Sequence, residues 1–197
     1  MRSMFALYWR SHRLIAVVAV ALGCVVAVVA IGRVAISLPW ISREGLVNVA
    51  VVAEIAYGCL IPLTFRNRAS ELEEIGERNW KVPDSLLVGV LWGLPVAVVV
   101  LTEEGLRFFY ACSLLQAAWI VLGRWLRSDT VMVAIVGAFL VQTALWSAVA
   151  HSPWRFALFL LETPPAPVAC GLAGLGGVVC LVGVGAYKAA NPGDQAK

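Results

Sequence analysis

Apolar and polar positions divide this chain into six long apolar runs, over residues 14–38, 45–65, 85–101, 105–123, 130–150 and 168–187, separated by short polar stretches. A helix rising 1.5 Å per residue needs about 20 apolar residues to cross a hydrocarbon core of about 30 Å. All six runs reach or approach that length. The third is the shortest and carries Pro95. The pattern predicts an all-α, polytopic membrane protein: six transmembrane helices in a single domain over 1–197. The first run follows a basic start, as a signal peptide would. It is longer than the usual 7–15 apolar residues, and no small-x-small cleavage site precedes Pro39-Trp40, so a mature helix is expected.

Composition supports the same solvent. The chain is 61% hydrophobic and 14% charged, with mean hydropathy +0.86, against about 25% charged residues in soluble domains. The net charge of +3 matters less than its placement. With the N-terminus inside, Arg2, Arg10, Arg13, Arg66, Arg68, Arg78, Lys81, Arg124, Arg127, Lys188 and Lys197 fall on the cytoplasmic side. Arg33, Arg43, Arg107 and Arg155 fall at outer ends. The positive-inside rule then predicts both termini in the cytoplasm; the expected location is the plasma membrane, as a multi-pass protein. Trp9, Trp80 and Trp125 mark the inner interface, and Trp40 and Trp154 the outer one. No arginine-rich face interleaved with aromatics is present, which argues against nucleic acid as a partner.

Three polar or broken segments stand out. In "MRSMFALYWRSHR", residues 1–13, Met4, Phe5, Tyr8 and Trp9 form one apolar helical stripe, with arginines placed for lipid phosphates. An interfacial helix is expected there. In "HSPWRFALFLLETPPAPV", the apolar piece 156–161 is too short to cross and is bracketed by prolines, so 151–167 reads as an outer re-entrant or interfacial segment. The third, residues 66–84, holds Arg66, Arg68, Glu71, Glu73, Glu74, Glu77 and Arg78 in an otherwise oily chain. Ser70 and Glu73 have capping-box spacing, and Leu72 and Ile75 share a face, so a short acidic helix starting at Ser70 is expected, weakened by Gly76. Pro83 then opens the third span, with Asp84 or Ser85 as its cap. Gly89 and Gly93 have GxxxG spacing and the sixth run is glycine-rich, which favours close packing within the chain over a dimer seam.

Glu54 falls near the middle of the second run. A charge there costs roughly 2.5–3.5 kcal/mol, so the residue should face the bundle interior, protonated or hydrogen-bonded. Expected neighbours are Gln116, Gln142 and Thr143 on other spans, with Asn48 and Tyr57 on its own. No basic partner within the membrane is expected. Glu54, Gln116 and Gln142 are the candidate pathway-lining residues. Signatures of hydrolytic or phosphate-binding chemistry are missing from the sequence, and neither the cysteines nor His12 and His151 have metal-ligand spacing. The cysteines read as small buried hydrophobes. No cofactor, metal or catalytic residue is assigned, and the chain is not expected to be an enzyme.

Taken together, the N-terminal "MRSMFALYWRSHR", the "LEEI" at 72–75 and "SPWRFALFLLETPPAP" resemble the elbow helix, coupling helix and re-entrant piece of ABC-2-type ABC exporter permease subunits. The resemblance covers most of the chain as architecture. Its one sequence motif departs from the family where Ser70-Glu71 replaces the Gly-Thr that often precedes Leu-Glu. It implies a permease subunit coupled to a separate ATP-binding cassette subunit through Glu71, Leu72, Glu73, Glu74, Ile75 and Glu77. It also implies a second permease chain, identical or different, to complete the pathway. The alternative is a structural or regulatory membrane subunit that transports nothing and recruits a cytosolic partner through the same loop; a third reading is a secondary carrier using Glu54.

Overall fold

The structure is a computed structural model that describes residues 14–37, 46–60, 81–123, 125–126, 128–149, 151–153 and 163–190. Among the described residues it is built of six helices and one small hairpin: α1 (Leu14–Ile31), β1 (Ala35–Ser37), β2 (Leu46–Asn48), α2 (Val49–Gly58), α3 (Lys81–Leu101), α4 (Gly105–Leu122), α5 (Ser128–Val149) and α6 (Ala166–Ala190). Three of the helices, α4, α5 and α6, are long and apolar enough to cross a membrane by themselves.

The helices are all-apolar rather than amphipathic, and many of their large side chains stay exposed: Ile15, Val26, Leu86, Val100, Val133, Leu175 and Val182 among them. That surface is unfavourable in water and ordinary in lipid. The buried core gathers Val17, Ala21 and Val28 of α1, Ala50 and Tyr57 of α2, Val88 and Leu91 of α3, and Phe108, Leu115, Trp119 and Ile120 of α4.

Relative helix directions follow from which residues meet. Ser113 and Ile120 of α4 lie against Gly176 and Gly183 of α6. Both helices advance seven residues together, so they run parallel. Trp92 of α3 lies against Gly177 and Leu181 approaches Gly89, so α3 and α6 are antiparallel. Glu54 and Gly58 of α2 meet Arg107 and Leu115 of α4, again in parallel. Helices α1 to α4 therefore alternate in direction, and α6 runs with α2 and α4. The β1–β2 hairpin and the α3–α4 turn share one end, and the start of α1, the end of α2, the start of α3 and the end of α6 share the other.

Several span ends differ from those the pattern predicts. The apolar run 14–38 is not one helix: α1 stops at Ile31, and Ala35, Ile36 and Ser37 pair antiparallel with Asn48, Val47 and Leu46. A short β-branched apolar run suits a strand as well as a helix, and tertiary pairing decides. The reversal satisfies itself through the backbone, since Val49 N–H donates to the Val34 carbonyl at 3.0 Å and Ala50 N–H to that of Gly32 at 3.3 Å. Asn48, at the N-cap of α2, makes no side-chain cap bond. α3 begins at Lys81, so Asp84 and Ser85 lie inside its first turns rather than capping it. Pro83 is tolerated there because the first N–H groups of a helix have no intrahelical acceptor.

Glycines set the close approaches. A Cβ at Gly177 would stand 2.5 Å from Cε2 of Trp92, and one at Gly183 would overlap Ile120. Of the GxxxG pair of α3, Gly89 lies against Leu181 of α6, whereas Gly93, like Gly171 and Gly174, faces open space among the described residues. At Gly105 a Cβ would overlap the backbone of Val98 and Val99, where the α3–α4 turn closes through Gly105 N–H donating to Thr102 O. Of the residues in 151–167, Ala166 and Pro167 belong to α6. The expected interfacial helix over 1–13 and the residues 154–162 lie outside the described residues.

Candidate functional site

Most of the described polar side chains that lie deep in the fold gather along α4; Gln142 and Thr143 lie apart on α5. Arg107 sits in its first turn, and Nε lies 3.4 Å from Oε1 of Glu54 on α2. The same guanidinium places an Nη 3.6 Å from Oε2 of Glu104, three residues back. Glu54 is fully buried, and the Arg107 side chain retains 14% exposure. Neither Glu54 oxygen nor Arg107 Nε makes a hydrogen bond, so the two groups meet at ion-pair distance without one.

This corrects the expectation that Glu54 has no basic partner. Glu54 falls in the second turn of α2, because that helix starts only at Val49. It therefore lies near the hairpin end, at the depth of the first turn of α4. Arg107 reaches inward to it, and its long aliphatic stem allows this. At the surface of the same end Arg33, just beyond α1, pairs with Glu103 of the α3–α4 turn, both side chains largely exposed.

Further along, Tyr57 Oη donates to the Leu91 carbonyl at 2.7 Å, and Gln116 Nε2 donates to the same oxygen at 3.3 Å. The reason that oxygen is free lies four residues on, at Pro95, which has no N–H to donate back along α3. Tyr57 also packs edge-on against Phe108, with ring centres 5.5 Å apart. α2 thus presents Glu54 and Tyr57, one turn apart, to α4 and α3.

The expected neighbours of Glu54 separate. Gln116 is buried but bonds to α3, with its Oε1 left without a hydrogen bond. Gln142 and Thr143 are buried on α5, where Thr143 donates to the Phe139 carbonyl of its own helix at 2.8 Å. No hydrogen bond joins any of them to Glu54. A residue lining an open path keeps contact with solvent, whereas Glu54 and Gln116 have none. In this conformation they tie helices together.

Among the described residues, no group of three or more His, Cys, Asp or Glu side chains could hold a metal ion. The five cysteines are unpaired; Cys24, Cys112 and Cys180 are buried, but Cys170 is exposed on α6, against the expectation that all five are buried. The proposed contact residues Glu71, Leu72, Glu73, Glu74, Ile75 and Glu77 lie outside the described residues. Sequence reasoning missed Arg107, Glu104 and the Leu91 carbonyl. The first two were legible as an i,i+3 pair flanking a turn, and the third as the carbonyl four residues before a proline.

Comparison with known proteins found no matching family model, and no significant similarity to a curated protein or to a solved structure.

Proposed function

We propose that this chain is the membrane-spanning permease subunit of an ATP-driven exporter. In this reading it has six transmembrane helices, an interfacial helix over 1–13 and an outer re-entrant segment over 151–167. It docks on a separate ATP-binding cassette subunit through residues 66–84, in the plasma membrane, with both termini cytoplasmic. The carrying observation is directional. The chain leaves α2 and enters α3 at the end of the bundle where α1 starts and α6 finishes, opposite the hairpin. The joining residues are the most polar in the sequence, and the basic residues concentrate in the segments of that end. A charged connector so placed can receive a cytosolic partner and pass its movement to two helices at once.

Leu72 and Ile75 supply the apolar anchors of that contact, and Glu71, Glu73, Glu74 and Glu77 orient it. The burial of Glu54 and Gln116 puts a path between two permease chains ahead of one through a single bundle. The same burial is compatible with a subunit that transports nothing, which is the second reading. ATPase activity stimulated by a transported compound belongs only to the first.

The test is purification of the intact protein from native membranes and identification of what accompanies it. A nucleotide-binding subunit is expected, released when Leu72→Ala and Ile75→Ala are combined, because truncating buried anchors typically costs 1 kcal/mol or more each. Glu77→Lys should only weaken the complex, more visibly at low salt. An intact helical bundle recovered without any nucleotide-binding subunit removes the support for an exporter.

A further inference from the structure

Pro95 stands in the interior of α3, so the Leu91 carbonyl has no donor within its own helix. In lipid such a group must be satisfied by the protein itself. Here two other helices provide for it, Tyr57 from α2 and Gln116 from α4, and both side chains are fully buried. A carbonyl oxygen accepts two hydrogen bonds, so both donors fit at once.

We propose that this three-helix junction is a latch across a hinge: α3 bends about Pro95, and the bonds from Tyr57 and Gln116 to the Leu91 carbonyl hold it closed. A proline is where a helix bends most readily, because one rung of its ladder is missing. On one side of the hinge α3 begins at Lys81, where the polar connector from α2 ends. On the other it runs to the turn that carries Glu103, paired with Arg33, and Glu104, beside Arg107. Tyr57 lies in the last turn of α2, the helix from which the chain leads into that connector. Moving α2 against α3 at the connector draws Tyr57 away from Leu91 and frees the far part of α3 with its charged turn. The latch follows from the packing alone; only the identity of what moves the connector rests on the exporter reading.

Two donors on one oxygen give the latch a signature. Losing either leaves the carbonyl satisfied by the other, whereas losing both leaves it orphaned in an apolar interior. Amide hydrogen exchange of residues 96–101, followed in the purified full-length protein without any partner, reads the opening directly. Tyr57→Phe and Gln116→Met are each expected to speed exchange by less than about threefold, and the two together by about tenfold or more. In a Pro95→Ala background the restored N–H serves Leu91, and the same substitutions should leave exchange there unchanged. A double effect no larger than the product of the single ones overturns the latch. So does an equal response of the Pro95→Ala protein. If Pro95→Ala does not yield folded protein, the comparison of single and double variants decides alone. Because no nucleotide-binding subunit is in the sample, failure of the exporter reading leaves this result intact.

Discussion

α4 and α5 follow one another in the chain and both are long and apolar enough to cross a membrane, yet 67% of the apolar stretch of α4 is buried against 28% of that of α5. α4 is used on every side. Arg107 and Phe108 meet α2, Gln116 bonds α3, and Ser113 and Ile120 fit against glycines of α6. α5 buries one stripe, Val131, Ile135, Phe139, Gln142 and Thr143, at the three-to-four residue spacing of a single helix face. Val133, Val136, Leu140, Val141 and Leu145 are exposed. Hydrophobicity does not distinguish the two, because lipid accepts apolar side chains as readily as a core does. Their polar residues do. Those of α4 point toward three different helices, and those of α5 sit side by side on one face.

The two helices differ most at Arg107. Arg107→Ala leaves the fully buried Glu54 without its partner, a loss of at most about 3–5 kcal/mol that shrinks as the carboxyl takes up a proton. Unfolding in mild detergent should show it as a large drop in midpoint. Leu at both positions should recover most of the loss, since no charge then remains buried. A single variant as stable as the parent would show that the pair does not hold α2 to α4.

Next in size is the contact of α6 with α3. Gly177→Ala drives a methyl group into the Trp92 indole, and overpacking of this kind costs about 1–3 kcal/mol. Gly171→Ala on the same helix meets open space and should be neutral or slightly stabilising by the same unfolding measurement. If both glycines respond alike, α6 is not seated on α3 by that face.

Smaller again is the surface pair. Arg33→Ala removes an exposed ion pair, worth about 0–1 kcal/mol, and the difference should shrink as salt is added. Smallest is α5: Val133→Ala should stay within about 0.5 kcal/mol, because the side chain gives up lipid contact rather than core packing. A cost near that of Arg107→Ala would mean that α5 has an interior neighbour on its exposed side.

The helices themselves were legible in the sequence. α4 spans almost the predicted run, and α5 and α6 differ from theirs by a few residues at the ends. The reversal between α1 and α2 was not legible. Ala35-Ile36-Ser37 and Leu46-Val47-Asn48 become strands through a pairing that neither segment announces alone. The loss of that reversal misplaced Glu54: set in the middle of a long span it looks isolated, whereas in the second turn of α2 it lies level with Arg107. The inward-facing position of Glu54 was legible from the cost of a charge in lipid. The partners of Glu54 and Gln116 depended on the order in which helices pack, which all-apolar faces do not encode.

The turn at Gly105 has a consequence at the level of the gene. The atoms a Cβ would overlap there are main-chain atoms of Val98 and Val99, which no change of rotamer can move aside. Every base change in a glycine codon that alters the residue adds at least that one carbon. The α3–α4 turn is therefore a site where mutation can sample the neighbourhood without finding an acceptable substitute. Drift elsewhere in the chain must leave Gly105 in place, unless Val98 and Val99 first shift to make room.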